Sequence, residues 1–141
     1  MSLLYLDTSA LLRLYTREPD YEQVIALKEQ AYGVICHVIT HVEMVSAFTG
    51  RRTRKLLSGR AYQTALEAFR SDWPTFQHVA MDEELLQDAA DLSQAHALRA
   101  YDAVHLAAAQ AVSPLGVQFM TFDLRLRAVA EQVMPGQVWQ P

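Results

Sequence analysis

The chain has 141 residues, of which 51% are hydrophobic and 20% are charged, an ordinary composition for one globular domain that buries a core. Lysine plus arginine is 12 and aspartate plus glutamate is 16, so the formal charge is −4, which disfavours a passive nucleic-acid-binding protein. No apolar run approaches the roughly 18 residues of a membrane span, and the N-terminus lacks a signal-peptide pattern. With Cys36 as its single cysteine, we expect a cytoplasmic protein without membrane contact and one domain over residues 1–141.

Apolar segments typical of buried strands alternate with segments of helical periodicity along the whole chain. The predicted strands cover residues 3–6, 34–39, 76–80 and 117–122, with a last edge strand at 137–139. The predicted helices cover residues 10–15, 20–32, 40–48, 61–72, 82–98, 99–109 and 124–132. This alternation predicts an α/β fold, in which helices cover both faces of a mainly parallel sheet.

Residues 49–60 interrupt the pattern and are predicted to form a loop or the end of a helix. Their basic cluster, unique in the sequence, consists of Arg51, Arg52, Arg54 and Lys55. Such a cluster is usually solvated surface, and the alternative is contact with a phosphate backbone or an acidic partner.

Four acidic residues stand where predicted strands end or predicted helices begin. Asp7 and Asp123 each follow an apolar strand, whereas Glu43 and Asp102 each lie in the first turn of a helix. In a parallel sheet these positions can share the edge at the carboxyl ends of the strands. Four carboxylates would repel one another there, and Mg²⁺ or Mn²⁺, which prefer oxygen ligands, would relieve that repulsion. Such a site can activate water for in-line displacement at a phosphodiester, so we interpret the four acids as candidate catalytic and metal-binding residues.

Several of these residues also have a purely structural interpretation. Asp7 can cap the helix that follows it. Thr40 and Glu43 match a capping box, in which the glutamate bonds back to the first residue of the helix. His37 and His41 together with Glu43 suggest zinc superficially, but the regular spacing of zinc ligands is missing.

Four further residues are given lesser roles. His105 lies on an apolar helix and is predicted to be a hydrogen-bonded core histidine, and Asp82 is predicted only to cap a helix. Arg99 can pair with the acids or contact phosphate. Tyr101 can belong to the core or line the cleft.

The successive motifs of the chain resemble those of PIN-domain proteins, and most of all those of VapC-type ribonuclease toxins of toxin–antitoxin modules. The motifs are Leu-Tyr-Leu-Asp7-Thr8-Ser9, Thr40-x-x-Glu43, Arg99-Ala-Tyr-Asp102-Ala-Val-His-Leu-Ala-Ala-Ala and Thr121-Phe-Asp123. They occur in the family's order and extend over nearly the whole chain.

The resemblance implies a three-layer α/β/α sandwich and a Mg²⁺- or Mn²⁺-dependent endoribonuclease whose products carry a 5′-phosphate and a 3′-hydroxyl. It implies that Asp7, Glu43, Asp102 and Asp123 form the catalytic, metal-binding set, with Thr8 or Thr121 as a supporting hydroxyl. It also implies an RNA substrate, a cognate antitoxin and a homodimer. For the dimer we expect an uncovered apolar surface that includes Trp73 and Trp139.

Two other functional classes are compatible with an α/β chain. A receiver-like module with a phosphorylated aspartate needs paired acids after its first strand and a lysine near the end of the chain, and the C-terminal region here has no lysine. A catalytically silent PIN-like scaffold that binds RNA or a protein partner remains the alternative. Intact acids at all four positions disfavour the scaffold, because a degenerate site can lose them without harm to the fold.

Overall fold

A computed structural model describes residues 2–141 of the protein, in which strands and helices alternate. The strands are β1 (Leu3–Leu6), β2 (Gly33–His37), β3 (Gln77–Val79) and β4 (Val117–Met120). The helices are α1 (Thr8–Leu12), α2 (Tyr21–Gln30), α3 (Thr40–Thr53), α4 (Gly59–Asp72), α5 (Glu83–His96), α6 (Ala100–Val112) and α7 (Leu124–Val133).

The four strands form one parallel sheet in the order β3-β2-β1-β4. Leu4 on β1 is opposite Val34 on one side and Gln118 on the other. Because all four strands run the same way, their carboxyl ends lie at the same edge of the sheet, and this confirms the predicted architecture. The predicted last strand is reduced to an isolated bridge between Phe119 and Val138.

Two hydrophobic cores lie on opposite faces of the sheet, because successive side chains of a strand point to opposite faces. Tyr5, Ile35 and Phe119 pack with buried residues of α5, α6 and α7. Leu4 and Cys36 pack on the other face with buried residues of α1, α2, α3 and α4. The molecule is therefore the expected three-layer α/β/α sandwich.

Residues 49–60, predicted to be a loop or the end of a helix, contain the end of α3, a short connection and the start of α4. Helix α3 continues to Thr53 and α4 begins at Gly59, after Ser58, whose side chain accepts the Ala61 N–H at 3.0 Å. The last turns of α3 are held by Arg51, which forms a two-point ion pair with Glu18 at 2.8 and 2.9 Å. This tertiary contact overrides the weak helical pattern of the polar segment, and it removes Arg51 from the free basic cluster.

The two tryptophans are less available for a dimer surface than expected. Trp139 is 6% exposed and lies beneath the guanidinium of Arg127, whose central carbon is 4.9 Å from the centroid of its ring. Trp73 is half-buried and stacks on His78 at 4.0 Å. Within residues 2–141, no helix has both the length and the apolar character that a membrane span needs.

Candidate active site

The four acids predicted from the sequence approach the carboxyl edge of the sheet from four separate elements. Asp7 directly follows β1 and precedes α1, and Asp123 lies between β4 and α7. Glu43 is in the first turn of α3 and Asp102 is in the first turn of α6. Thr8, Thr121 and Arg99 bond to these acids or their backbone, so the four acids are linked along this edge through intermediate residues.

Asp7 is buried and both of its carboxylate oxygens are bonded. Oδ1 accepts the Ala10 N–H at 3.0 Å and the Ser9 hydroxyl at 2.6 Å, and Oδ2 accepts the Thr121 hydroxyl at 2.5 Å. Burial raises the pKa of Asp7 above its usual value, and the electrostatic effect of nearby His105 and these hydrogen bonds oppose that shift without cancelling it. Asp7 therefore caps α1 as the structural interpretation required, yet it also presents a desolvated carboxylate to the sheet edge.

Glu43 does not form the predicted capping box. Ile39 occupies the N-cap of α3 without a side-chain bond, and the Glu43 carboxylate turns away from the helix end. Its Oε1 accepts the Thr8 hydroxyl at 2.8 Å and lies 2.6 Å from His105 Nε2. Burial disfavours ionisation, but the bonds from His105 and Thr8 outweigh it and hold the pKa of Glu43 below its usual value.

His105 connects Glu43 to the core of the sheet. It is 2% exposed, and its Nδ1 lies 2.9 Å from the hydroxyl of Tyr5. Burial raises the pKa of Tyr5 well above its usual value, so the phenol stays protonated and can donate a hydrogen bond to Nδ1. In the tautomer that accepts this bond, Nε2 carries the ring proton and donates to Glu43 Oε1.

The structure confirms that His105 is a hydrogen-bonded core histidine and adds a contact that sequence reasoning missed. Asp102 and His105 are three residues apart on α6, a spacing that places two side chains on the same face of a helix. That spacing was the available signal that His105 reaches the acidic site.

Asp102 and Asp123 are joined by an exposed arginine. Arg99 Nε lies 3.0 Å from Asp102 Oδ2, and its Nη2 lies 3.0 Å from Asp123 Oδ2. The other oxygen of Asp123 caps α7 by accepting the Leu126 N–H at 2.8 Å. Of the two roles considered for Arg99, the structure shows pairing with the acids, although its side chain is 78% exposed.

The segment after β4 is bonded directly to the start of α1. The Thr121 hydroxyl that donates to Asp7 also accepts the Asp123 N–H at 3.1 Å. One residue further, the Phe122 N–H donates to the Ser9 hydroxyl at 2.9 Å. Both hydroxyls named by the family resemblance thus lie at the site, Thr8 beside Glu43 and Thr121 beside Asp7.

The donor set suits a divalent ion in kind, since carboxylate oxygens are the preferred ligands of Mg²⁺ and Mn²⁺. Arg99 already supplies a positive charge between Asp102 and Asp123, as an ion would. With side chains in these positions, no three His, Cys, Asp or Glu residues of the range 2–141 are arranged to hold a metal. The carboxylates therefore fit a divalent ion in chemical type, and Arg99 occupies two of them.

The zinc interpretation is not supported. His37 is buried and its Nδ1 accepts the Ile39 N–H at 3.0 Å. His41 packs against Trp73, with ring centroids 5.0 Å apart. Because Glu43 is bonded to neither histidine within the described chain, these residues do not form a ligand set.

Two cavities flank the acids and differ in chemistry. One of about 400 Å³ contains Glu43, Thr8 and the 57% exposed Tyr101, which therefore lines the cleft and is not part of the core. The other, of about 260 Å³, is lined by Arg99 and Arg125 together with acids of the site. A larger groove of about 750 Å³ lies along α3 and α4 and includes none of the four acids in its lining.

Comparison with known proteins places this arrangement in a family. The model of the PIN domain matches residues 4–132. The chain is 30% identical to Ribonuclease VapC45 of Mycobacterium tuberculosis (strain CDC 1551 / Oshkosh) over 142 aligned positions, which cover 98% of this chain and 99% of that protein.

Two solved structures share the fold. The crystal structure of FitAcB from Neisseria gonorrhoeae superposes with a TM-score of 0.72 at 22% identity, covering 98% of this chain and 97% of the other. A toxin–antitoxin complex from Klebsiella pneumoniae gives a TM-score of 0.65 at 20% identity, with the same coverages of 98% and 97%. From the family match and the near-complete VapC45 alignment, the chain belongs to the PIN domain family and to its VapC ribonuclease group.

Proposed function

We propose that the protein is a divalent-metal-dependent endoribonuclease that hydrolyses RNA phosphodiester bonds, and that it is the toxin of a toxin–antitoxin pair. The observation that carries the proposal is the convergence of Asp7, Glu43, Asp102 and Asp123 from four elements onto one edge of the sheet. The similarity to Ribonuclease VapC45 supports RNA as the substrate.

Asp7, Glu43, Asp102 and Asp123 are the residues that would hold the ion. When bound, Mg²⁺ or Mn²⁺ supplies charge that activates water and stabilises the oxygens of the phosphodiester. The chain supplies position: three donors fix the Asp7 carboxylate, and Thr8 with His105 fixes that of Glu43. Preorganised charge of this kind is the main protein contribution to phosphoryl chemistry.

Covalent catalysis by a protein side chain is not part of the proposal. Cys36 is buried in the sheet, where burial raises the pKa of its thiol to about 12, so the nucleophilic thiolate does not form at neutral pH. His105 has both ring nitrogens engaged by Tyr5 and Glu43. Water is therefore the proposed attacking group. Departure of the 3′-oxygen would leave the 5′-phosphate and the 3′-hydroxyl that the family resemblance implies.

The proposed partners are RNA, a cognate antitoxin and a second copy of the chain. Similarity to a solved toxin–antitoxin complex supports the antitoxin. Arg52, Arg54 and Lys55 remain outside the Arg51–Glu18 pair. At the rise of an α-helix, Arg52 is about 14 Å along the axis of α3 from Glu43, and Arg54 and Lys55 follow the end of that helix. We propose that they contact RNA backbone a few nucleotides from the cleaved bond, or an acidic antitoxin surface.

The silent scaffold stays as the second candidate because one observation favours it. Arg99 neutralises two of the four acids, and no three ligand-type side chains in residues 2–141 are arranged for an ion. A scaffold would keep this ion pair permanently and bind RNA or protein without cleaving it.

Cleavage of a mixed RNA pool separates the two candidates. We expect wild-type protein to cleave in Mg²⁺ or Mn²⁺ and to stop in EDTA, with recovery when the ion is restored. Asp7→Asn keeps the shape of the side chain but removes one unit of ligand charge, so activity should fall by at least about 100-fold. Mapping of the cut ends tests for the 5′-phosphate.

The matched control is Asp82→Asn, which changes an aspartate that caps α5 by accepting the Leu85 N–H at 2.8 Å. It should cleave like wild type. Equal activity of wild type and Asp7→Asn, or full activity in EDTA, would contradict the mechanism. RNA binding without cleavage under every metal condition would establish the scaffold.

A further inference from the structure

The cavity on the Glu43 side of the site has a lining unlike that of its neighbour. Tyr101 projects from the first turn of α6 with 57% of its surface exposed, and Val42 on α3 is 68% exposed. Both contribute to the cavity of about 400 Å³, which also includes Glu43 and Thr8. Large apolar side chains are thus presented to solvent directly beside the acids.

We propose that this cavity is a nucleobase subsite, in which Tyr101 stacks on the base of a nucleotide adjacent to the cleaved phosphodiester. The inference rests on the proposed function, because it takes RNA as the ligand. Single-stranded RNA is commonly bound by stacking its splayed bases on exposed aromatic rings. A volume of about 400 Å³ is within the range of small-molecule pockets and suits one base better than a segment of folded protein.

Charge decides which part of a nucleotide each cavity suits. The described lining of the Tyr101 cavity includes the Glu43 carboxylate and no basic side chain, so it repels a phosphate and tolerates a neutral base. The smaller cavity is lined by Arg99 and Arg125 as well as by Asp102 and Asp123, so unlike the Tyr101 cavity it offers guanidinium groups to a phosphate. An RNA strand crossing the site would therefore place a base against Tyr101 and backbone toward the arginines.

Hydroxyl groups give the cavity a means to bond a base edge. Ser46 lies one helical turn after Val42 on α3, is exposed, and lines the cavity. Its hydroxyl can donate or accept, so it can bond either type of group on a base. Stacking itself is tolerant of sequence, and selectivity among bases would come from such contacts.

Binding of a short, fluorescein-labelled, random-sequence RNA to the inactive Asp7→Asn protein tests the subsite. Tyr101→Ala in that background should weaken binding by roughly 5- to 150-fold, the range expected for loss of one stacked base. Tyr101→Phe keeps the ring and should bind like the parent. Tyr32→Ala is the matched control, because Tyr32 is 74% exposed just after α2 and outside the cavity.

A spectroscopic readout distinguishes stacking from a general structural effect. RNA that carries 2-aminopurine at random positions should lose fluorescence when it binds the Asp7→Asn parent or the Tyr101→Phe variant. When a saturating concentration of Tyr101→Ala binds the same RNA, the loss of fluorescence should be smaller. Urea unfolding should give similar free energies of unfolding for the Asp7→Asn parent and for the three tyrosine variants made in it, since Tyr101 and Tyr32 are both exposed.

Each other result overturns the inference in a distinguishable way. If the parent binds RNA and Tyr101→Ala binds equally well, the subsite is wrong and the proposed function stands. If Tyr101→Ala binds RNA normally but loses affinity for the cognate antitoxin, the surface belongs to a protein partner. If neither wild type nor the parent binds or cleaves RNA, the proposed function fails and the subsite fails with it.

Discussion

The inner and outer halves of the acidic site are held by different forces. In the inner half, Asp7 and Glu43 are bonded by hydroxyls, one backbone N–H and an imidazole, with distances of 2.5 to 3.0 Å. In the outer half, Asp102 and Asp123 share one guanidinium that is 78% exposed. Donors held in place by the fold fix the inner acids, whereas a solvent-exposed guanidinium holds the outer ones.

The difference indicates how a stable fold accommodates four neighbouring acids without a bound ion. Buried carboxylates need hydrogen bonds in place because their desolvation is expensive. Exposed carboxylates are screened by water and salt, so a surface ion pair suffices and contributes little energy. We therefore expect inner-half substitutions to affect the stability of the fold and outer-half substitutions to affect mainly the occupancy of the site by cations.

Removal of His105 should have the largest effect on stability. His105→Ala leaves the Tyr5 hydroxyl without its buried partner and deprives Glu43 of one donor, at a cost of about 2–4 kcal/mol in the free energy of unfolding. Urea denaturation measures the change. His96→Ala at the end of α5 is the control. If both variants lost the same free energy of unfolding, the hydrogen bonds that connect Tyr5, His105 and Glu43 would have no special role in stability.

Asp7→Asn should change stability in a pH-dependent way. Because burial raises the folded-state pKa of Asp7, its ionised form lowers stability at neutral pH, and this penalty fades as the pH falls through the folded value toward the unfolded one near about 4. Asp7→Asn carries no such charge, so it should be more stable than wild type at pH 7. Its free energy of unfolding should also rise less than that of wild type when the pH is lowered. Urea midpoints across this range test the sign. A variant less stable than wild type at pH 7 would show that lost hydrogen bonds dominate.

Arg99→Gln should have the smallest effect on stability, less than about 1 kcal/mol and abolished by high salt, because exposed ion pairs are weak. It should nevertheless bind Mn²⁺ more tightly in calorimetric titration, since Asp102 and Asp123 lose their competing cation. Arg125→Gln is the control, because its side chain lines the same cavity and bonds the His96 carbonyl instead of the acids. Equal Mn²⁺ affinities for wild type and Arg99→Gln would show that Arg99 does not compete for the site.

Much of the architecture follows from local sequence patterns. Apolar strands such as Leu3–Leu6 and the small, apolar α6 are visible because burial on all sides requires continuous apolar residues, and alternation with helices leads to a parallel sheet. Since parallel strands end at one edge, the positions of Asp7 and Asp123 near that edge also follow from the chain order. The motif order added the family resemblance, which the comparisons bear out.

The partner that each polar side chain contacts is determined by the tertiary structure alone. The local pattern Thr40-x-x-Glu43 favours a capping box. The Glu43 carboxylate instead bonds to Thr8 and His105, which are distant in sequence. Near the end of α3, Arg51 likewise pairs with Glu18, which is 33 residues away along the chain. Such partners are brought together by packing and not by spacing along the chain, so local residue patterns determined where the acids lie and the fold determined what each of them contacts.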